Sequence, residues 1–296
     1  MTVETLDTSK NKVFIATNFS SSNYYYSVKS SFESKKHQEH KEILDLILQI
    51  RSEEFKFSYG AKMLAKEMAR RGYIHNHKTV LDVERDYDLL STAYNRYNSK
   101  YNSYKGNVGK TADRIIKRGE KASEPGIKIV TDVTEFRVKN KKLYLTTFID
   151  LFNNEILSYN IDIHPTAEFV NIALKNVLPK LQVNAIIHSD QGFHYQLPNY
   201  QYLLNQASVI QSMSRKSSPE DNGLQESEFH IIKVHTSHHR KYKDIDELRN
   251  DIERFIYHYN YQRIQKRLGY LTPVEYRERY SSLSGTDNSS KEPINN

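Results

Sequence analysis

The sequence predicts an α/β protein, a sheet flanked by helices, with a small all-α unit in front of it. Three observations carry that prediction. Residues 127–136, 142–150 and 155–163 are β-rich runs separated by the polar turns Lys139-Asn140 and Asn153-Asn154, the pattern of an antiparallel meander. The chain then alternates, with a periodic helix over 167–181, a short apolar run over 184–188, a helix over 200–206, a strand over 208–213 and a long helix from Asp221. Between residues 40 and 81, apolar side chains recur at helical spacing with no strand pattern among them.

Residues 1–38 are rich in Ser, Thr, Asn and Lys and show no sustained period. They are expected to form a flexible N-terminal arm, with Tyr24-Tyr25-Tyr26 able to dock on the next unit. Ile43, Leu44, Ile47 and Ile50 then mark a first helix. Tyr59-Gly60 breaks it, and a second helix with Met63, Leu64 and Met68 inward runs to about Arg71, where Gly72 can cap it. Asn76 can cap a third helix containing Val80 and Leu81. Three short helices over 39–95 suit a helix-turn-helix-like DNA-binding domain, and equally a helical bundle with no DNA role.

Residues 96–122 read as a basic linker, with eight basic residues, Lys105 and Lys110 among them, against two acidic ones. Interleaved Tyr and Lys can stack on bases and neutralise phosphates, although a merely solvated linker has the same composition. The run 184–188 ends in polar residues, as a buried parallel strand does. The core spans 123–280, and residues 281–296, with Ser, Gly, Asn and Pro, are expected to be a disordered tail.

Composition narrows the function. Hydrophobic residues make up 38% and charged residues 27% of the 296 positions. No apolar run approaches the ~18 residues of a membrane span, so no membrane partner is expected. The N-terminus lacks the charged-then-apolar pattern of a secretion signal. There are no cysteines, which excludes disulfides and thiolate metal sites and fits a cytoplasmic protein. Any metal must be held by oxygen or imidazole. The net charge of +7 favours an anionic partner, of which nucleic acid is the commonest.

Cutting a phosphodiester with hard cations needs two or three carboxylates converging on one place. Asp132 lies within the first predicted strand, and Asp190 sits where the fourth ends, the place where active groups of open α/β sheets gather. Glu226 lies in the first turns of the last core helix, with 35 residues between it and Asp190. Lys233 follows Glu226 by seven positions, so both project from one helical face, and the cation can grip the DNA backbone. Taken singly, Asp132 could be a turn former, Asp190 a helix cap and Glu226 one exposed carboxylate among many. Order and spacing together favour the joint reading.

The stretches VTDVTEF (130–136), YLTTFIDLFNNEILSY (144–159), HSDQGFHYQ (188–196), QSMSRKSSPEDNGLQES (211–227) and RLGYLTPVEY (267–276) resemble the integrase-core transposases of bacterial insertion sequences. The resemblance is to the second-frame product (OrfB) of the insertion-sequence-three family. It continues upstream, in YGAKMLAKEMARRGYIHNHKTV (59–80) and KYNSYKGNVGK (100–110), and covers about residues 40–280. It implies a ribonuclease-H-like integrase core, a mixed five-stranded sheet with flanking helices, behind a helix-turn-helix. It also implies metal-dependent DNA end cleavage and strand transfer without a covalent enzyme intermediate.

Residue by residue, Asp132, Asp190 and Glu226 match the family's catalytic metal ligands for two Mg²⁺ (or Mn²⁺) ions. Asn222 and Lys233 match its flanking polar positions. With Arg215 and Lys216 in the same motif, and Lys105 and Lys110 in the linker, they are the expected DNA contacts. The implied partners are double-stranded DNA, both element ends and target, other copies of the chain, and a small upstream-frame OrfA protein, in a bacterial cytoplasm near the nucleoid. The alternatives are a catalytically degenerate DNA-binding relative and a ribonuclease-H-like nuclease.

The chain departs from the family at three places. Ile129 stands where relatives carry Trp, Ser217–Glu220 replace a Gly-Asn-containing segment, and Glu228 occupies a usually aromatic site. By helical spacing Glu228 falls on the stripe that should be buried, so either the helix rotates, or Glu228 meets a cation, or the copy is degenerate. His235, His238 and His239 lack a suitably spaced further ligand and read as a basic loop touching DNA, not as a zinc site. His188 and His194 beside Asp190 are expected to be packed or capping groups. Helix 255–260 should cover the core, and Asp132 is preferred to Asp150 as the ligand.

Overall fold

The computed structural model describes residues 21–94, 112–116, 120, 122–214 and 223–286, with side chains at 35–94, 112–116, 120, 122–214 and 227–284. The chain divides into two compact units, residues 1–91 and 92–296.

The first unit holds three helices, α1 (Ser21–Ser52), α2 (Ala61–Arg70) and α3 (His77–Asp86). Ile43, Ile47 and Ile50 of α1, Leu64 and Met68 of α2, and Val80 and Val83 of α3 are fully buried and form its core, while Met63 and Leu81 are only half-buried. Gly72 ends α2 with φ +91, a conformation costly for any residue with a Cβ, and its N–H donates to the Ala69 carbonyl at 3.1 Å. The Asn76 side chain accepts from Lys78 N at 2.9 Å and caps α3. Charged side chains close the remaining gaps: buried Glu67 accepts from Lys56 at 2.7 Å and from Arg71 at 2.8 Å. One expectation changes. Helix α1 starts at Ser21, not near residue 40, because the apolar period that marks it in the sequence begins only at Ile43 and the Ser- and Tyr-rich stretch before it carries none.

In the second unit, β1 (Lys128–Val138), β2 (Lys141–Asp150) and β3 (Ile156–Asp162) form the expected antiparallel meander. After α4 (Ala167–Val177), β4 (Ile186–Ser189) pairs parallel to β1; after α5 (Pro198–Gln206), β5 (Ile210–Met213) pairs parallel to β4. The result is a mixed five-stranded sheet of order β3-β2-β1-β4-β5. Helices α6 (Gly223–His235), α7 (Ile245–Tyr261) and α8 (Pro273–Thr286) follow. The last runs into the stretch expected to be a tail; residues 287–296 of that stretch lie outside the described residues.

Strand alternation sorts the side chains. Ile129, Phe148 and Ile187 point to one face and pack with Phe169, Val170, Ala173 and Leu174 of α4 and Tyr200 and Leu204 of α5. Ile129 is fully buried in this core. Val130, Asp132, Leu145, Thr147 and Ile149 belong to the opposite face, where α6 packs on β1 and α7 on β2 and β3. Part of the segment read as linker is built into this unit. Ile115 N donates to Ser212 Oγ at 2.9 Å and Met213 N to the Asp113 carbonyl at 3.3 Å, so residues 113–115 cover the β5 edge.

Candidate active site

The site is set by strand register. Val130 of β1 pairs with His188 of β4 in the parallel ladder. Asp132 stands two residues further along β1, and Asp190 follows directly after Ser189, the last residue of β4. Neighbouring strands lie about 4.8 Å apart, so the two half-buried acids leave the sheet near one another at this end of the β1–β4 ladder. A second observation agrees: both raise the pKa of the Tyr195 hydroxyl, after its complete burial, which is the larger cause. Asp132 Oδ1 accepts from Val133 N at 2.7 Å, and Asp190 Oδ1 from Gly192 N at 2.8 Å.

Gly192 leaves room for the Asp190 carboxylate. A Cβ there would lie 2.9 Å from Asp190 Oδ1 and 3.3 Å from the Tyr195 ring. After it, the 3₁₀ turn Phe193–Gln196 folds Tyr195 beneath the carboxylates. Burial raises the Asp190 carboxyl above the usual aspartate range, against the Gly192 N–H and the nearby His194. His194 donates from Nε2 to the Pro165 carbonyl at 2.7 Å and is itself pushed towards its neutral form by burial. Asp190 thus has no strong cationic partner among the described residues.

Helix α6 supplies the third side of the site. Lys233 stands over the Phe136 ring, 5.6 Å from its centroid, and its ammonium is pushed down by burial but held up by Asp132 and Glu135. Its charge therefore faces the Asp132 carboxylate. Glu226 lies on the same helix, and its side chain falls outside the described ones. Seven helical residues rise about 10 Å and return to within about 20° of the same direction, so Glu226 shares the stripe of Lys233. Arg215, Lys216, Asn222, Lys105 and Lys110 lie outside the described residues. Among the described residues no three His, Asp or Glu converge on a metal position.

The competing acid is structural. Asp150 accepts from Gly126 N at 2.7 Å and Phe152 N at 2.9 Å, is 1% exposed, and is pushed up to about 6 by burial. His188 is equally structural, buried with Nδ1 2.9 Å from Ser212 Oγ. The histidine loop needs correcting. His235 is fully buried, donates from Nδ1 to the Ile231 carbonyl at 2.8 Å and stacks on Phe255, because it closes α6 against α7 and cannot reach DNA. Tyr195, which sequence reasoning left unassigned, is buried in the core beside Ile129 and Phe148, with its hydroxyl close enough to feel both acids. The HSDQGFHYQ motif contains it, but motif order does not reveal that the turn folds back.

Residues 122–219 and 226–280 match family models described as Integrase core domain. Over 258 residues the chain is 36% identical to InsK of Escherichia coli (strain K12), assigned as the transposase for insertion sequence element IS150, covering 86% of this chain and 89% of InsK. The chain belongs to the insertion-sequence transposases with an integrase core. It is 37% identical over 203 residues to an uncharacterised transposase-like protein of Haemophilus influenzae, covering 68% of this chain and 93% of that protein. It is also 29% identical over 224 residues to the transposase InsF for insertion sequence IS3A of Escherichia coli (strain K12), covering 75% of this chain and 77% of InsF. Among solved structures, the HTLV-2 integrase catalytic core domain in complex with magnesium aligns at a TM-score of 0.41 and 18% identity, over 53% of this chain and 99% of that one. Among the described residues no helix is long and apolar enough to cross a membrane.

Proposed function

We propose that this chain cuts the ends of an insertion sequence and joins them to target DNA, with Asp132, Asp190 and Glu226 holding two divalent cations, Mg²⁺ or Mn²⁺. The observation that supports this most is that Asp132 on β1 and Asp190 directly after β4 stand at the same end of two paired parallel strands, with Lys233 of α6 close to Asp132 and Glu226 two helical turns before it. The donor set fits such ions. It is all oxygen, and Asp190 is a burial-raised acid whose ionised form gains most from a cation. When bound, the ions supply activation of the attacking oxygen and stabilisation of the leaving one.

The chain's own residues do the rest. Gly192 N–H and the Val133 N–H hold the two carboxylates in place. Lys233 offsets the negative charge of the acids and lies where a backbone phosphate would approach. Lys105, Lys110, Arg215, Lys216 and Asn222 extend the DNA-contacting set, and the three-helix unit serves as the helix-turn-helix-like module. Partners follow from the same reading: double-stranded DNA, further copies of the chain on that DNA, and an OrfA protein from an upstream frame.

Of the three departures from the family pattern, Ser217–Glu220 lie outside the described residues, and the other two do not favour a degenerate copy. Ile129 is fully buried in the core, and Glu228 lies near two arginines. The test is metal-dependent nicking and joining of a labelled duplex. Wild type should give both products, and Asp190→Asn and Glu226→Gln should lower each by at least about a hundredfold while remaining folded. Equal activity in the two variants would refute the assignment. Hydrolysis without joining would point to a nuclease.

A further inference from the structure

Strands β1 and β2 run on past the rest of the sheet. Strand β4 pairs with β1 only over Lys128–Val130, and β3 leaves β2 at Tyr144, the partner of Asp162. Among the described residues no other strand pairs with either one beyond those points, so residues 135–144 form a two-stranded ribbon. One face of it is buried through Phe136, Val138 and Leu143, with Lys233 of α6 over the Phe136 ring. That packing gives the ribbon the stability that an isolated hairpin lacks.

Its far end is cationic. Between residues 135 and 142, Arg137, Lys139, Lys141 and Lys142 stand against one acid, Glu135, and all four cations are exposed. Arg137 and Lys142 are cross-strand partners, and like charges at such a pair repel. Glu135 holds them together, accepting from Arg137 at 2.6 Å and pairing with Lys142 at 2.8 Å, while the Tyr144 hydroxyl donates to it at 3.1 Å. The Arg137 side chain stays 70% exposed, so this pairing leaves it open to a further anion. Lys139, at the turn, has φ +54, a region that glycine occupies without strain. Asp244, the N-cap of α7, lies near Lys139 but also near Lys243, and two α7 N–H groups already engage it.

The ribbon starts at the candidate active site. Asp132 lies on β1 seven residues before Lys139, so at about 3.3 Å per residue the tip is about 23 Å away. A DNA duplex rises about 3.4 Å per base pair, and that distance is about seven base pairs. Beyond Val130 the β1 edge that faced β4 is unpaired among the described residues, and it leads from Asp132 to the cationic tip. We propose that the β1–β2 ribbon is a DNA-contacting arm, in which Arg137, Lys139, Lys141 and Lys142 neutralise phosphates of the duplex being cut, about seven base pairs from the scissile one. Such contacts fix the register of the duplex on the protein and read no sequence. The proposal rests on the reading of Asp132 and Asp190 as the cutting site.

The chain has no cysteine, so Asn140→Cys places one attachment point at the tip and keeps all four cations. An iron chelate tethered there should cleave a labelled element-end duplex in a zone centred about seven base pairs from the phosphate that the protein nicks. In a second arm, Lys139→Gly with Lys141→Gln removes two exposed charges, and glycine suits the positive φ, so the melting temperature should stay close to that of wild type. Fluorescence anisotropy of the full chain on the same duplex should show the salt slope of log K reduced by about two. Lys175→Gln, an exposed cation on α4, should leave that slope unchanged. Cleavage centred elsewhere or spread evenly, or a wild-type slope in the double variant, overturns the proposal. An equal loss per charge in Lys175→Gln overturns it too, since net charge alone would then explain the effect. If wild type nicks nothing, the functional reading fails instead. The ribbon is then decided by the salt slope alone, a reduction of about two supporting the arm and none refuting it.

Discussion

Gly192→Ala separates placement of the Asp190 carboxylate from stability of the fold. Gly192 has φ −58 and ψ 142, which alanine adopts freely, so no backbone strain is introduced. The added methyl would lie 2.9 Å from Asp190 Oδ1, where ordinary contact begins near 3.4 Å, so the oxygen must retreat by about half an ångström. It is the tip of a side chain and can move, which keeps the cost to folding small. The smaller unfolded-state entropy of alanine offsets part of what remains, so stability should stay within about 1 kcal/mol of wild type. Catalysis has no such freedom. A displacement of about 1 Å costs about a hundredfold, so half of that predicts roughly a tenfold fall in the joining rate. The assay is duplex nicking and joining at saturating DNA, beside urea unfolding of the same preparations. Full activity in the variant, or an activity loss that merely follows a loss of folded protein, would refute the reasoning.

Three further outcomes are expected. Lys233→Met should weaken binding to an element-end duplex and reduce the salt slope of log K by about one, measured by fluorescence anisotropy at several salt concentrations; an unchanged slope would remove Lys233 from the phosphate contacts. His235 is pushed down to about 3, by burial first and Arg263 second, from an ordinary 6.5, so between those values the unfolded chain binds the extra proton. Its contribution is complete above about pH 6.5 and is lost as pH falls, at up to about 1.4 kcal/mol per unit, and His235→Phe should flatten that part of the urea-unfolding profile between pH 7 and 4. Leu174→Ala, at a fully buried position of α4, should cost about 2–5 kcal/mol in urea unfolding; a cost below about 1 kcal/mol would mean that α4 does not close this face of the sheet.

Much of the architecture was legible because local chemistry repeats with a period. The polar pairs Lys139-Asn140 and Asn153-Asn154 flag the meander turns, and the strands fall within a few residues of the expected runs. Asn76 and Gly72 mark helix ends by the hydrogen bonds they make. Where the sequence has no apolar period the signal fades, which is why the start of α1 was misplaced by about twenty residues. Residues 113–115 had no strand pattern of their own, since they are held by β5 and not by a repeating face.

The sequence by itself determined which acids were available, in what order, and that Glu226 and Lys233 share one helical stripe, because helix geometry is local and fixes that relation whatever surrounds it. The sequence motif already preferred Asp132 to Asp150, but only the tertiary structure showed that Asp132 lies on the strand paired with β4, directly after which Asp190 follows. That placement depends on the pairing of strands nearly sixty residues apart, whereas Asp150 is consumed by the Gly126 and Phe152 N–H groups. It decided likewise that Glu228 faces arginines and that His235 is interior. A side chain's charge partner is set by whichever element packs against it, and no local spacing encodes that neighbour.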